Sequence, residues 1–288
     1  MLTPESSVLV LGSGGVTGIA WELGVLAGLS DRGVSLLDAD VILGTSAGAV
    51  AGAQLCGGEP LEDLYRRWSA DDPGDLDAVL SLRVGLQIVA YSVLPGSLRR
   101  RRSRLGRAAL RATITSQPDT VEAVVGQLPI ASWPQRRLLL TAVDAESGAF
   151  TVFDRTSEVD LAVAVAASCA VPMVWPPVAI DGHYYMDGGM RSPANADLAA
   201  GAGSAVVLAP ITQAFSRATR VTSQVERIGG DVRSCLVSPD AAAKAAIGKN
   251  MLAPAGCAGS ARAGRAQGRR MAETVAQAWA GDSGRQVG

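Results

Sequence analysis

The chain has 288 residues, 48% of them hydrophobic and 18% charged. It is long enough to bury a sizeable core and too apolar for a disordered chain. A formal net charge of −1 gives no overall pull toward nucleic acid or anionic lipid. Cys56, Cys169, Cys235 and Cys257 are scattered and form no CxxC pair, so they suggest neither a zinc site nor a redox motif and fit a reducing compartment.

The opening "MLTPESSVLVLGSGG" lacks a basic n-region and a long apolar stretch, and no run of about 18 apolar residues follows. Neither a signal peptide nor a membrane span is expected, and a cytoplasmic location is. The run "SSVLVLG" (6–12) reads as a buried strand, and "VTGIAWELGVLAGLSDRG" (16–33) as a helix with Gly33 as its stop. "ADVILG" (39–44) is a second buried strand and "SAGAVAGAQLCGG" (46–58) a second helix of small residues. Strand, helix, strand, helix with short joints implies a parallel sheet and an α/β fold.

Residues 60–130 differ in character. "PLEDLYRRWSADD" reads as helical, and residues 99–111 hold seven arginines, so this stretch is expected as a helical cap over the sheet. Strands resume at "RRLLLTAVDA" (136–145) and "GAFTVFD" (148–154). "VDLAVAVAASCA" (159–170) is apolar throughout, and "VPMVWPPVAIDG" after it reads as a fixed loop because of its prolines. "HYYMDGG" (183–189) ends in a turn, "SAVVLAP" (204–210) and "GDVRSCLVSPD" (230–240) hold further strands, and the Ala/Arg-rich tail at 255–288 reads as one helix with a frayed end. With no internal repeat and no linker, one domain is expected.

Two glycine-rich stretches carry the chemistry. "GTSAG" matches G-x-S-x-G, in which a serine sits on a sharp strand-to-helix turn that needs tiny neighbours, here Gly44 and Gly48. The plain alternative makes Ser46 an ordinary helix N-cap. "GSGGVTG" (12–18) follows the first strand; its G-x-G-x-x-G spacing fails at Thr17, and it lacks the G-K-[ST] of a P-loop. It is either a tight turn or an oxyanion hole made of backbone N–H groups. Two adjacent parallel strands would deliver both loops to one sheet edge. A serine nucleophile needs a base. The one histidine, His183, lies among turn residues and reads as a surface or packing side chain; Asp187, in the turn "DGG", is the other candidate.

The order of these blocks resembles the patatin-like phospholipase family. It comprises the glycine-rich loop with Gly12 and Gly18, GTSAG, "TAVDAESGAFTVF" (141–153), "AASCAVPMVWPPVAIDG" (166–182) and the closing Asp187-Gly188-Gly189. The resemblance runs from about residue 7 to about residue 250. It implies a three-layer sandwich with a mostly parallel central sheet, helices on both faces and a helical cap. It also implies a Ser46–Asp187 dyad, oxyanion N–H groups from Gly14, Gly15 and Ala47, an acyl-serine intermediate, no metal or cofactor, and a lipid ester as substrate. The family's first loop usually reads G-G-G-x-[KR]-G. Ser13 here replaces a glycine, and Thr17 replaces the basic residue.

Three rivals stand beside this lipid acyl hydrolase: an esterase or thioesterase on small soluble substrates, a catalytically weakened binding protein of the same fold, and a nucleotide-binding α/β protein. The arginine run reads either as a contact for lipid phosphates at a membrane surface or as a solvated helix face. Nucleic acid is not expected, because aromatic side chains for stacking are absent nearby. The apolar stretch 84–96 is either a lipid-facing lid or a core helix.

Overall fold

The computed structural model describes residues 2–70, 82–112, 128 and 132–279. Eight strands among them form one sheet. β1 (Ser7–Leu11) lies between β2 (Val41–Gly44) and β7 (Ser204–Leu208), with β3 (Arg137–Asp144) beyond β2 and β8 (Arg233–Val237) beyond β7, all parallel. β4 (Phe150–Phe153), β5 (Val178–Ile180) and β6 (His183–Asp187) complete the sheet in antiparallel pairings.

The central strands β1, β2 and β7 are apolar apart from the leading Ser7 and Ser204 because both faces are covered. Leu9, Leu11, Ile42 and Leu208 point into one core; Val8, Val10, Leu43 and Val207 point into the other. The first core is closed by α1 (Gly15–Ser30), α2 (Ala47–Cys56), α3 (Leu61–Trp68), α6 (Leu161–Cys169), α8 (Ala241–Ile247) and α9 (Cys257–Trp279). The second is closed by the turn at Ala196–Ala199 and by α7 (Val221–Ile228). The architecture is an α/β three-layer sandwich with a mostly parallel sheet.

The Ala- and Gly-rich tail forms α9, which lies against α1 at backbone contact distance. A Cβ on Gly24 or Gly28 would stand 2.2 or 2.1 Å from a carbonyl of α9, and one on Gly268 would stand 2.2 Å from a carbonyl of α1. Trp21 donates to Gln267 across the seam at 3.1 Å. The tail thus anchors the helix whose first turn carries the glycine loop. Residues 280–288 of the expected tail lie outside the described residues.

The stretch expected as a cap divides. α3 buries Leu64 and Trp68 in the first core, in the layer of α1. α4 (Leu82–Val93) and α5 (Leu98–Arg111) instead pack on each other, and α5 reaches the end of β3, where a Cβ on Gly106 would stand 2.1 Å from the carbonyl of Ala145. Residues 71–81, 113–127, 129 and 130 of that stretch lie outside the described residues.

One feature of register positions the site. Leu140 pairs with Gly44 and with Phe153; Ala142 pairs with Asp187 and with Thr151. A strand residue has two edges, so β2 and β6 share one edge of β3, with β4 on the other. β2 runs parallel to β3 and β6 runs antiparallel. Their C-terminal ends therefore meet head to head, and the residues that leave them are Ser46 and Asp187. β6 reaches this position through a two-residue hairpin, Asp181-Gly182, with φ of 48° and 76°, the type I′ signature.

Candidate active site

Ser46 joins β2 to α2 with φ 55° and ψ −116°, a conformation that strains any residue carrying a Cβ. The residues two before and two after it must be glycine. A Cβ on Gly44 would lie 2.6 Å from the carbonyl of Gly48, and one on Gly48 would lie 2.1 Å from the carbonyl of Leu11. Although Ser46 occupies the N-cap position of α2, its side chain makes no capping hydrogen bond. The hydroxyl instead interacts with the carboxylate of Asp187. That contact distinguishes a presented serine from an ordinary cap.

Asp187 is buried. Burial pushes its carboxyl up from 3.8 to about 6, opposed by the Ser46 hydroxyl and by the N–H of Gly189, which donates to Oδ1 at 2.6 Å. The turn that follows has no room for side chains. A Cβ on Gly188 would lie 2.3 Å from Thr141 Oγ1, and one on Gly189 would lie 2.6 Å from Ser13 Oγ.

Gly14 and Gly15 open α1, and no described residue accepts a hydrogen bond from their N–H groups. Gly15 has φ +59°, and a Cβ on Gly14 would lie 2.6 Å from Pro210. Ser13 differs: its N–H donates to the carbonyl of Pro193 at 2.7 Å, and its buried hydroxyl has no partner among the described residues. Gly12 donates to Leu208 and to the fully buried Glu22, whose carboxyl burial holds well above the usual range. Gly18 donates back to the carbonyl of Gly14.

Ser13, Gly14, Gly15, Ser46, Asp187 and Gly189 line a cavity of about 370 Å³, with Ile88, Val171, Ile211, Phe215, Met251 and Leu252 forming its apolar wall. Ala47 does not line it. His183 lies elsewhere: its side chain is 61% exposed, with Nδ1 3.2 Å from Asp144. Thr17, at the position of the family's usual cation, is buried with Oγ1 and N–H both donating to the carbonyl of Met251. A cation reaches the cavity from another loop, as Lys249.

Several supporting residues escaped the sequence reading. Residues 168–170 hold the backbone of both Ser46 and Asp187. Ser46 N–H donates to Ser168 Oγ at 2.9 Å, the Cys169 thiol donates to the Ser46 carbonyl at 3.3 Å, and Asp187 N–H donates to the Ala170 carbonyl at 3.0 Å. Burial, reinforced by the charge of Asp187, pushes the Cys169 thiol well up, so it stays a neutral donor. Asn195, left-handed at φ 49°, donates to Thr45, Thr141, Gly188 and Ser192 and so ties β2, β3 and the DGG turn together. The segment "SPANAD" carries a turn signal and nothing that announces this network.

The model of the family described as patatin-like phospholipase matches residues 9–200. The chain belongs to the patatin-like phospholipase family. Uncharacterized NTE family proteins from Mycobacterium bovis and Mycobacterium tuberculosis are 30% identical to it over 187 residues, 64% of this chain and 43% of theirs. The chain thus spans less than half the length of these curated relatives. Among solved structures, VipD from Legionella pneumophila matches with a TM-score of 0.47 at 14% identity, covering 94% of this chain and 67% of that one. The type III effector protein ExoU matches with a TM-score of 0.39 at 15% identity, covering 95% and 54%. Among the described residues of this patatin-like chain, no helix is long and apolar enough to cross a membrane.

Proposed function

We propose that this patatin-like protein is a serine hydrolase of lipid acyl esters that works through a Ser46–Asp187 dyad. The observation that carries the reading is the meeting of the Ser46 hydroxyl, in one cavity, with a buried carboxylate that burial pushes up to about 6. A base with that value is ionised at neutral pH and still basic enough to take a proton in the transition state.

In this reading Ser46 Oγ attacks the ester carbonyl carbon while its proton passes to Asp187. The oxyanion of the tetrahedral intermediate accepts from the N–H groups of Gly14 and Gly15, each worth roughly 3 kcal/mol in comparable sites. Collapse breaks the ester C–O bond, and the leaving alkoxide takes the proton from Asp187. Water then attacks the acyl-serine, gives its proton to Asp187, and the carboxylic acid leaves as Ser46 regains its hydrogen. Neither His183 nor Ala47 has a step.

The apolar wall suits an acyl chain. Exposed Leu86, Val89 and Val93 on α4, beside the arginines of α5, suit peripheral contact with a lipid surface. The test is a fluorophosphonate probe together with a p-nitrophenyl ester series of rising chain length. Labelling of the wild type that is lost in Ser46→Ala, with an optimum beyond short acyl groups, is the expected result. An optimum at acetate places the substrate among small esters, and no labelling removes the hydrolase reading.

A further inference from the structure

The dyad and the free N–H groups of Gly14 and Gly15 leave a buried hydroxyl of the same cavity unused. Ser13 lines that cavity with Ser46, Asp187 and Gly189. Its N–H is tied to the carbonyl of Pro193 at 2.7 Å, which withdraws it from any oxyanion. Its Oγ is buried with no partner among the described residues. A buried hydroxyl without a hydrogen bond weakens a fold. Such a group calls for a state of the protein in which it is paired.

The position of Oγ indicates the partner. A Cβ on Gly189 would stand 2.6 Å from Ser13 Oγ and 2.9 Å from Asp187 Oδ1, with Ser13 Cβ next at 3.5 Å. The bare face of Gly189 is thus a niche with a hydroxyl on one side and the carboxylate on the other. The two oxygens flank it closely enough for one water to reach both at ordinary hydrogen-bond lengths. Gly189 N–H donates to Oδ1 at 2.6 Å and holds the carboxylate in this position. In the free protein Asp187 also has the Ser46 hydroxyl as a partner. Acylation takes the hydrogen off Ser46, and the carboxylate is then open to a water.

We propose that Ser13 is a catalytic residue of the second half-reaction, its hydroxyl orienting the water that hydrolyses the acyl-serine. Rotation about one torsion, χ1, turns Oγ from the niche toward that water. The water donates one hydrogen to Asp187 and the other to Ser13 Oγ, which leaves an oxygen lone pair aimed at the acyl carbon. As the new C–O bond forms, the first proton passes to Asp187. The bond from the acyl carbon to Ser46 Oγ then breaks, and Ser46 takes that proton back. The second hydrogen leaves with the acid product, and Ser13 neither gains nor loses a proton. Acylation makes no use of Ser13, because the attacking group is then Ser46 itself. The inference rests on the hydrolase reading of the dyad and adds to it a residue that acts in one step alone.

The test separates the two half-reactions. Wild type and Ser13→Ala are mixed rapidly with the p-nitrophenyl ester that the chain-length series finds best. The release of p-nitrophenol in the first turnover reads acylation. Decay of the acyl-enzyme, followed by intact mass after acid quench, reads deacylation. Ser13→Ala should deacylate about 5- to 10-fold more slowly, the loss of one hydrogen bond, while acylating within about twofold of the wild type. Hydroxylamine is a stronger nucleophile than water and takes no orientation from a bridging hydroxyl. Adding it should bring both proteins to the same rate of acyl-enzyme loss. Slowing of both steps alike assigns the hydroxyl to the oxyanion or to the loop's structure and overturns the proposal. An unchanged deacylation rate, or a gap that hydroxylamine does not close, overturns it as well. A wild type that takes no fluorophosphonate label removes the hydrolase reading and this inference together; a labelled wild type matched by Ser13→Ala in both steps removes this inference only.

Discussion

Replacing Asp187 with asparagine removes a base and relieves a buried charge, so activity and stability move in opposite directions. Burial raises the carboxyl from 3.8 to about 6. The folded state thus binds this proton more tightly than the unfolded chain does. The stabilisation from the protonated form is complete below pH 3.8 and is lost as pH rises through 6, the reverse of a salt-bridged carboxylate. By pH 8 the ionised group destabilises the fold by about 3 kcal/mol, at ~1.36 kcal/mol per pKa unit. Asparagine mimics the protonated acid and keeps an oxygen for the Gly189 N–H. Asp187→Asn is therefore expected to melt about 5–10 °C above the wild type at pH 8, with the difference vanishing near pH 4, while ester turnover falls about 10²–10⁴-fold. Thermal unfolding across pH, with p-nitrophenyl ester hydrolysis on the same preparations, checks both. A variant less stable than the wild type at pH 8, or one that keeps full turnover, refutes the reasoning.

Wild-type kcat/KM should fall as pH drops through about 6, because the proton that inactivates is the one on Asp187; a pH–rate profile flat down to pH 5 would count against the dyad. Ser46→Gly should abolish turnover yet raise stability by about 1 kcal/mol or more, since glycine relaxes at φ 55°; denaturant melts measure it. Glu22→Gln should raise the melting temperature at pH 8 and lose that advantage as pH falls, because the buried carboxyl beneath Gly12 titrates well above its usual range. His183→Ala should leave kcat/KM within about twofold, since the ring sits on an exposed hairpin against Asp144.

The sheet was legible from the chain because its central strands are buried on both faces, and a run such as Val8–Leu9–Val10–Leu11 leaves no polar side to mislead. The glycines were legible as well, because a strained strand-to-helix turn leaves no room for a Cβ two residues before or after its serine. Where the cause was distant, the sequence was silent. Glycines in α9 looked like composition alone, yet they let its backbone touch that of α1. Thr17 looked like a lost cation; its hydroxyl is engaged by Met251, and Lys249, some 230 positions on, supplies the charge. Ser168, Cys169 and Asn195 act through hydrogen bonds to residues more than 50 positions away, and no periodicity encodes such a partner.

The meeting of Ser46 with Asp187 is the hardest of these to read, and it follows from the length of one strand. β3 runs from Arg137 to Asp144, while its partner β2 has only four residues, Val41–Gly44. Half of that edge is left open beyond Leu140. An antiparallel strand filling the gap must end where β2 ends, and β6 does so with Asp187 opposite Ala142. The serine turn and the DGG turn are thereby pressed together by main-chain pairing before any side chain interacts. This accounts for a carboxylate that stays buried, with its carboxyl pushed up to about 6, rather than escaping to solvent. Lengthening β2 by two residues would close the gap and displace β6. The site thus depends on where the sheet stops pairing as much as on the residues it presents there.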